Sequence, residues 1–178
     1  MRVFIGISFN NDIKDQLTII ENKIRNNSSK GNFTLRNNLH LTLRYIGEVN
    51  SKELFTLKNI VSKIGSNYSC FSFRVEDLGE FKRGKSSIVF AGVEKNKKLS
   101  DLYTLLDKEL KEKGFELDNK PYTPHITLGR EVVYNADFNI KSITYIPIDV
   151  NVEKITLFES TRVKGVLTYI PIIEVILK

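Results

Sequence analysis

Histidine and cysteine are nearly absent from this chain: two of the first and one of the second among 178 residues. A single cysteine, Cys70, closes no internal disulfide, which agrees with a reducing compartment, and a cytoplasmic location is expected. Its expected role is that of a small buried apolar side chain. No apolar run approaches the roughly 18 residues that a membrane span needs, so no membrane partner is expected. Met1–Phe9 is too short an apolar stretch for a signal peptide. No tail of low complexity is present. Scarce ligands also argue against zinc, which usually takes about four His, Cys or carboxylate donors. No metal and no cofactor is therefore expected.

Cations are in excess. Lysine and arginine total 27 against 21 aspartates and glutamates, a net charge of +6. That balance favours an anionic partner, such as a nucleic-acid end or a small nucleotide, and bears on association rather than fold. The length suits one domain, or two small lobes sharing a cleft.

Both histidines open the same tetrapeptide. One is His40-Leu41-Thr42-Leu43; the other is His125-Ile126-Thr127-Leu128. Each alternates polar and apolar residues in the manner of a strand. Residues two apart in a strand share a face, about 6–7 Å apart. His40 therefore sides with Thr42, and His125 with Thr127. If the two strands lie side by side, two imidazoles and two hydroxyls line one cleft. Such a set suits an in-line displacement at phosphorus. One imidazole takes a proton from the attacking group and the other gives one to the departing oxygen. The hydroxyls donate to the non-bridging oxygens as charge builds.

Alternation extends the reading outward. Arg44 falls on the His40–Thr42 face, as a substrate contact or a rim charge. Arg130 falls on the opposite face from His125, yet stands where the strand is expected to end and its long side chain can curl back to phosphate. Tyr122 and Phe9 are candidates to stack a base, with core packing the simpler role for Phe9. Lys82, Arg83 and Lys85 cluster in an expected loop over Gly79–Lys85, either a solvated turn or a contact to phosphates.

Along the chain, strands are expected over Arg2–Phe9, Leu39–Ile46, Cys70–Leu78, Ser87–Val93 and Ile126–Arg130. Further strands are expected over Ile143–Val150, Ile155–Ser160 and Leu167–Ile176. Helical spacing marks Ile13–Ile24, Leu54–Ile64 and Leu99–Leu110. Asn10 or Asn11 caps the first and Ser51 the second. Gly47 ends a strand; Gly65 and Gly114 close helices. Asn26–Asn32 reads as a loop. Pro147 and Pro171 suggest sheet edges or bulges. The expected fold is α+β with two lobes, each an antiparallel sheet backed by helices. The lobes are related by a rough two-fold, with the motif strands facing across a central cleft. Residues 1–178 form one bilobal domain, with no linker to place.

The doubled tetrapeptide resembles the signature of the two-histidine phosphoesterase superfamily. The flanks Met1–Ile7, Asn38–Glu48, Tyr122–Arg130 and Leu157–Ser160 resemble the RNA 2′,3′-cyclic phosphodiesterases, also called RNA 2′-5′ ligases (LigT-like). The resemblance implies the same two-lobed architecture and a metal-independent enzyme that opens a terminal 2′,3′-cyclic phosphate on RNA, leaving a 2′-phosphate. By that analogy His125 is the base and His40 the acid, which the residues alone do not distinguish. The resemblance also brings a basic residue at Arg130 near the substrate. Ligation is the reverse chemistry. Alternatives are a phosphodiesterase for 2′-5′-linked oligonucleotides or small cyclic nucleotides, and a catalytically silent RNA-binding module. The expected partner is RNA or a related nucleotide, and a monomer is expected.

Overall fold

Two antiparallel sheets share the chain between them, and neither is built from one continuous segment. The computed structural model describes all residues Met1–Lys178. The first sheet has the order β3-β1-β8-β9, from His40–Glu48, Arg2–Ser8, Lys154–Val163 and Val166–Ile176. The second has the order β2-β6-β5-β4-β7, from Ser28–Phe33, His125–Tyr134, Ser86–Val93, Phe71–Arg83 and Ile148–Val152. β1 is central and buried on both faces from Val3 to Ile7, which is why its sequence is a near-continuous apolar run.

Three helices cover the sheets. Helix α1 (Asn11–Asn26) buries Ile13, Leu17, Ile20 and Ile24, and Asn10 caps it by accepting from the Ile13 N–H at 3.0 Å. Helix α2 (Ser51–Asn67) is capped by Asn50 rather than Ser51. Asn50 and Glu53 exchange bonds in a capping box, which satisfies two free donors at once. Helix α3 (Lys97–Glu112) turns Leu99, Leu102, Leu106 and Leu110 inward, and Gly114 follows it at φ +83°. Helix α2 packs on β8 and β9 and against α3, which also meets β3. Helix α1 packs on β2, β6 and β7. The chain thus crosses repeatedly between lobes, which explains why no linker is legible.

Several expectations fail for physical reasons. Gly65 does not end α2; it lies inside the helix, where a Cβ would stand 2.4 Å from Val175 Cγ1, so it is there for close packing against β9. Gly47 does not end β3, which runs to Glu48. Asn26–Asn32 is not all loop: β2 begins at Ser28, an edge strand held to β6 by backbone pairing that needs no apolar face. The segment after Gly79 is not a loop but the end of β4, because Gly79 pairs with Phe90 and leaves room for its ring. The turn comes at Gly84, at φ +61°. Ile143–Pro147 lies outside strand, with a 3₁₀ turn over Ile140–Ser142 ahead of it. Cys70 is exposed rather than buried. Pro147 does immediately precede the edge strand β7, and Pro171 sits on the edge strand β9 at a register shift.

Candidate active site

The motif strands β3 and β6 lie in different sheets and meet across a cavity of about 340 Å³. His40, Thr42, His125 and Thr127 all line it. Each histidine is fixed the same way. His40 Nδ1 bonds the carbonyl of Asn38 at 2.7 Å, and His125 Nδ1 bonds the carbonyl of Thr123 at 2.7 Å. A carbonyl can only accept, so each Nδ1 carries the proton and each neutral ring leaves Nε2 as an open base. The His40 Nε2 accepts from the Thr42 hydroxyl at 2.9 Å. His125 Nε2 has no such partner.

Aromatic rings hold both imidazoles in a dry setting. Phe4 lies 4.7 Å from His40, and Tyr169 meets it edge-on at 5.0 Å. Phe90 and Phe81 flank His125 at 5.3 and 5.4 Å. Burial disfavours the charged form and pushes His40 down to about 4, with further repulsion from Arg130 and His125 and the opposing pull of the Asn38 carbonyl. His125 is lowered too, by burial first and by Arg130, against the Thr123 carbonyl. Both rings are therefore neutral at neutral pH.

Neither motif strand is regular. Opposite Ile5–Gly6 of β1 the register skips Leu43, and opposite Val89–Phe90 of β5 it skips Leu128. Each skip is a bulge, which turns the following side chains over. Arg130 thereby reaches the cleft from the sixth position of its strand, without needing the strand to end. It makes no ion pair. The corresponding bulge of β3, at Leu43, removes Arg44 from the cleft, against the alternation argument. Arg44 is 6% exposed, paired with Asp107 at 2.8 Å and Asp118 at 3.1 Å, and bonded to the Tyr103 hydroxyl. Tyr45 takes the cleft position instead.

Tyr122 is also misplaced by the sequence argument. Its ring stacks on Tyr103 at 4.0 Å and its hydroxyl donates to the Thr42 carbonyl at 3.1 Å, so it ties the approach of β6 to β3 rather than facing the cleft. Phe9 is core, 7% exposed. Ser160 lines the cavity; Glu159 does not. Lys82, Arg83 and Lys85 are exposed at the β4–β5 hairpin and stand outside the cleft, although Phe81 beside them touches His125. Sequence reasoning missed Tyr45, Tyr169 and Asn38. The Asn38 side chain bonds the Leu167 carbonyl at 2.8 Å and accepts from the Tyr169 N–H at 3.1 Å, clamping β9 against the His40 anchor. As metal donors the cleft offers two imidazoles and no carboxylate or thiolate.

A family profile, that of the 2′-5′ RNA ligase superfamily, matches residues 15–164. The chain belongs to this superfamily. Among its relatives is the RNA 2′,3′-cyclic phosphodiesterase of Thermotoga maritima, 34% identical over 90% of this chain and 87% of that one. The protein of the same name from Escherichia coli is 27% identical over 96% of this chain and 93% of its own. Crystalline Escherichia coli LigT superposes with a TM-score of 0.81, over 99% of this chain and 96% of that one, at 24% identity. The ligase-superfamily fold is thus shared along the whole chain, two-sheet layout included.

Proposed function

We propose that the protein hydrolyses a terminal 2′,3′-cyclic phosphate on RNA to a 2′-phosphate. The observation that carries this reading is the pair of imidazoles, each anchored at Nδ1, facing one cavity with Thr42, Thr127 and Arg130; Nε2 is unengaged on His125 and meets only the Thr42 hydroxyl on His40. The names of the relatives support it.

In this reading the phosphate sits between the two motif strands. His125 is the base, since its Nε2 is unengaged and its ring is the less buried of the two. It takes a proton from water as the water oxygen bonds to phosphorus. The bond from phosphorus to the ribose 3′-oxygen breaks, and His40 delivers a proton to that oxygen from Nε2. The products are a 2′-phosphate and a free 3′-hydroxyl, with His125 now protonated and His40 neutral. The negative charge of the arriving cyclic phosphate, which grows as the water oxygen adds to phosphorus, favours a protonated His40 despite its dry setting. The Thr42 and Thr127 hydroxyls donate to the non-bridging oxygens, and Arg130 neutralises them. With a ribose hydroxyl replacing water in one direction, the same site makes a 2′-5′ link. Both histidines come from one chain, which supports a monomer. We place the enzyme in the cytoplasm, with its RNA substrate.

The test is a short RNA ending in a 2′,3′-cyclic phosphate, incubated with a metal chelator present. Conversion to a 2′-phosphate end is expected. A 3′-phosphate product, or turnover only when metal is returned, would contradict the reading.

A further inference from the structure

A second cavity, of about 260 Å³, opens on the same sheet just beyond His40. His40 and Tyr169 line both cavities and so form the wall between them. The sheet register shows how close they lie. His40 pairs with Ser8 of β1. Gly6 pairs with Thr156 of β8, and two further residues of the same register bring Ser8 opposite Lys154. Lys154 therefore starts two strands from His40, about 9–10 Å away on one face.

Two lysines point their charge at this space. Lys154 shares it with Glu174, at 2.7 Å. Lys14, from the first turns of α1, lines the cavity half-buried and has no carboxylate partner, because nearby Asp15 is taken by Arg36 at 2.6 Å. Burial lowers the Lys14 ammonium, and Arg36 and Lys154 lower it further, against the attraction of Glu174. An unpaired, crowded ammonium of this kind gains most from an anion. The single carboxylate, Glu174, is already occupied by Lys154.

The other side of the cleft differs. The cavity beside the His125 approach, along Tyr122–Pro124, is lined by Glu76, Asp77 and Glu94. Of its lysines, Lys97 is paired with Asp101 and Lys95 makes no ion pair, while Asp77 is paired with Lys141 at 2.7 Å. A polyanion leaving the cleft meets three carboxylates on that side and one on the His40 side, where Lys14 and Lys154 both line the cavity.

We infer that the Lys14–Lys154 cavity is a second phosphate site, which seats the phosphate on the 5′ side of the nucleotide whose cyclic phosphate lies between the histidines. This rests on the proposed function and narrows it. The preferred substrate is an RNA end, or a nucleotide with a 5′-phosphate, rather than a cyclic nucleotide with a free 5′-hydroxyl. The strand leaves over His40 and Tyr169.

Calorimetry with two product-like probes tests the site: adenosine 2′,5′-bisphosphate and adenosine 2′-monophosphate. The bisphosphate should bind about tenfold more tightly, the gain of one charge-assisted contact. Lys14→Ala and Lys154→Ala should each bring that ratio toward one, while Lys82→Ala should leave it. Equal affinities in the unaltered protein would overturn the inference, as would a preference that survives both lysine substitutions or is lost with Lys82. The readout is a ratio of affinities and needs no turnover. Hydrolysis of adenosine 2′,3′-cyclic phosphate, measured separately, reports on the proposed function itself.

Discussion

The two motif strands are the same device filled with different residues. From the histidine to the sixth position, β3 and β6 follow one burial order: half-buried His, buried apolar, half-buried Thr, buried Leu, buried residue, exposed residue. Both carry a bulge at the leucine after threonine. At the fifth position β3 has Arg44 and β6 has Gly129. Arg44 turns back into the fold and pins β3 to the α3 side through Asp107, Asp118 and Tyr103. Gly129 lies against β2, where a Cβ would stand 3.1 Å from the Phe33 ring. At the sixth position the roles exchange: Tyr45 on one strand, Arg130 on the other, both in the cleft. One strand spends its arginine on structure and the other on the site. The lesson is that equal motifs place equal backbones, and the charge of the cleft is decided after the motif ends.

That division can be broken most forcefully at Arg44. Removing one partner of a buried ion pair costs about 3–5 kcal/mol, because the remaining charge loses its counterion. The low end of that range is the ceiling for Arg44→Ala, since Asp118 is well exposed and Asp107 keeps Lys111 at 2.8 Å. Arg130→Ala, which breaks no ion pair, should leave stability within about 0.5 kcal/mol. Denaturant unfolding of both variants checks this. Equal stabilities, with substrate affinity lost in Arg44→Ala, would return Arg44 to the cleft.

The threonines sharpen the comparison. Thr42→Val and Thr127→Val keep the β-branched shape and lose the donor. By analogy with other oxyanion sites, each should raise the barrier by up to about 2.7–4 kcal/mol with the fold intact. The Thr42 variant also frees His40 Nε2 of its hydroxyl partner, so its imidazole should respond in a proton-detected titration, whereas Thr127→Val should leave His125 unmoved. Near-normal rates in both variants would reduce the threonines to strand packing.

How much of this was legible follows from range. The His-x-Thr faces were legible because alternation is a property of one strand. The helices were legible because Ile13, Leu17, Ile20 and Ile24, and Leu99, Leu102, Leu106 and Leu110, repeat at the helical period. The bulges were not, since they are a slip between β3 and β1 and between β6 and β5, and no single strand records its partner's register. Alternation therefore misplaced Arg44 and also misjudged how Arg130 arrives. Gly65 reads as a helix end and Gly79 as the start of a loop because the reason for each is a valine or a ring from another strand. Asn38 and Tyr169 are 131 residues apart in sequence and meet only in the fold.

The measurement closest to the heart of the account is the pH profile of kcat/KM on a 2′,3′-cyclic phosphate, for the unaltered protein and for His40→Ala and His125→Ala. Burial and Arg130 lower both imidazoles in the free protein, His40 to about 4. In the proposed mechanism the form that reacts holds one proton on the pair, which is lost as pH rises through the lower-lying range. The bell should therefore peak on the acid side of the ordinary histidine value of about 6.5. Each substitution should remove one limb and cost roughly 10²–10⁴-fold, and the double variant should cost little more than either alone. A single variant that keeps near-normal activity with both limbs intact would show its histidine to be structural, and the paired mechanism would fall.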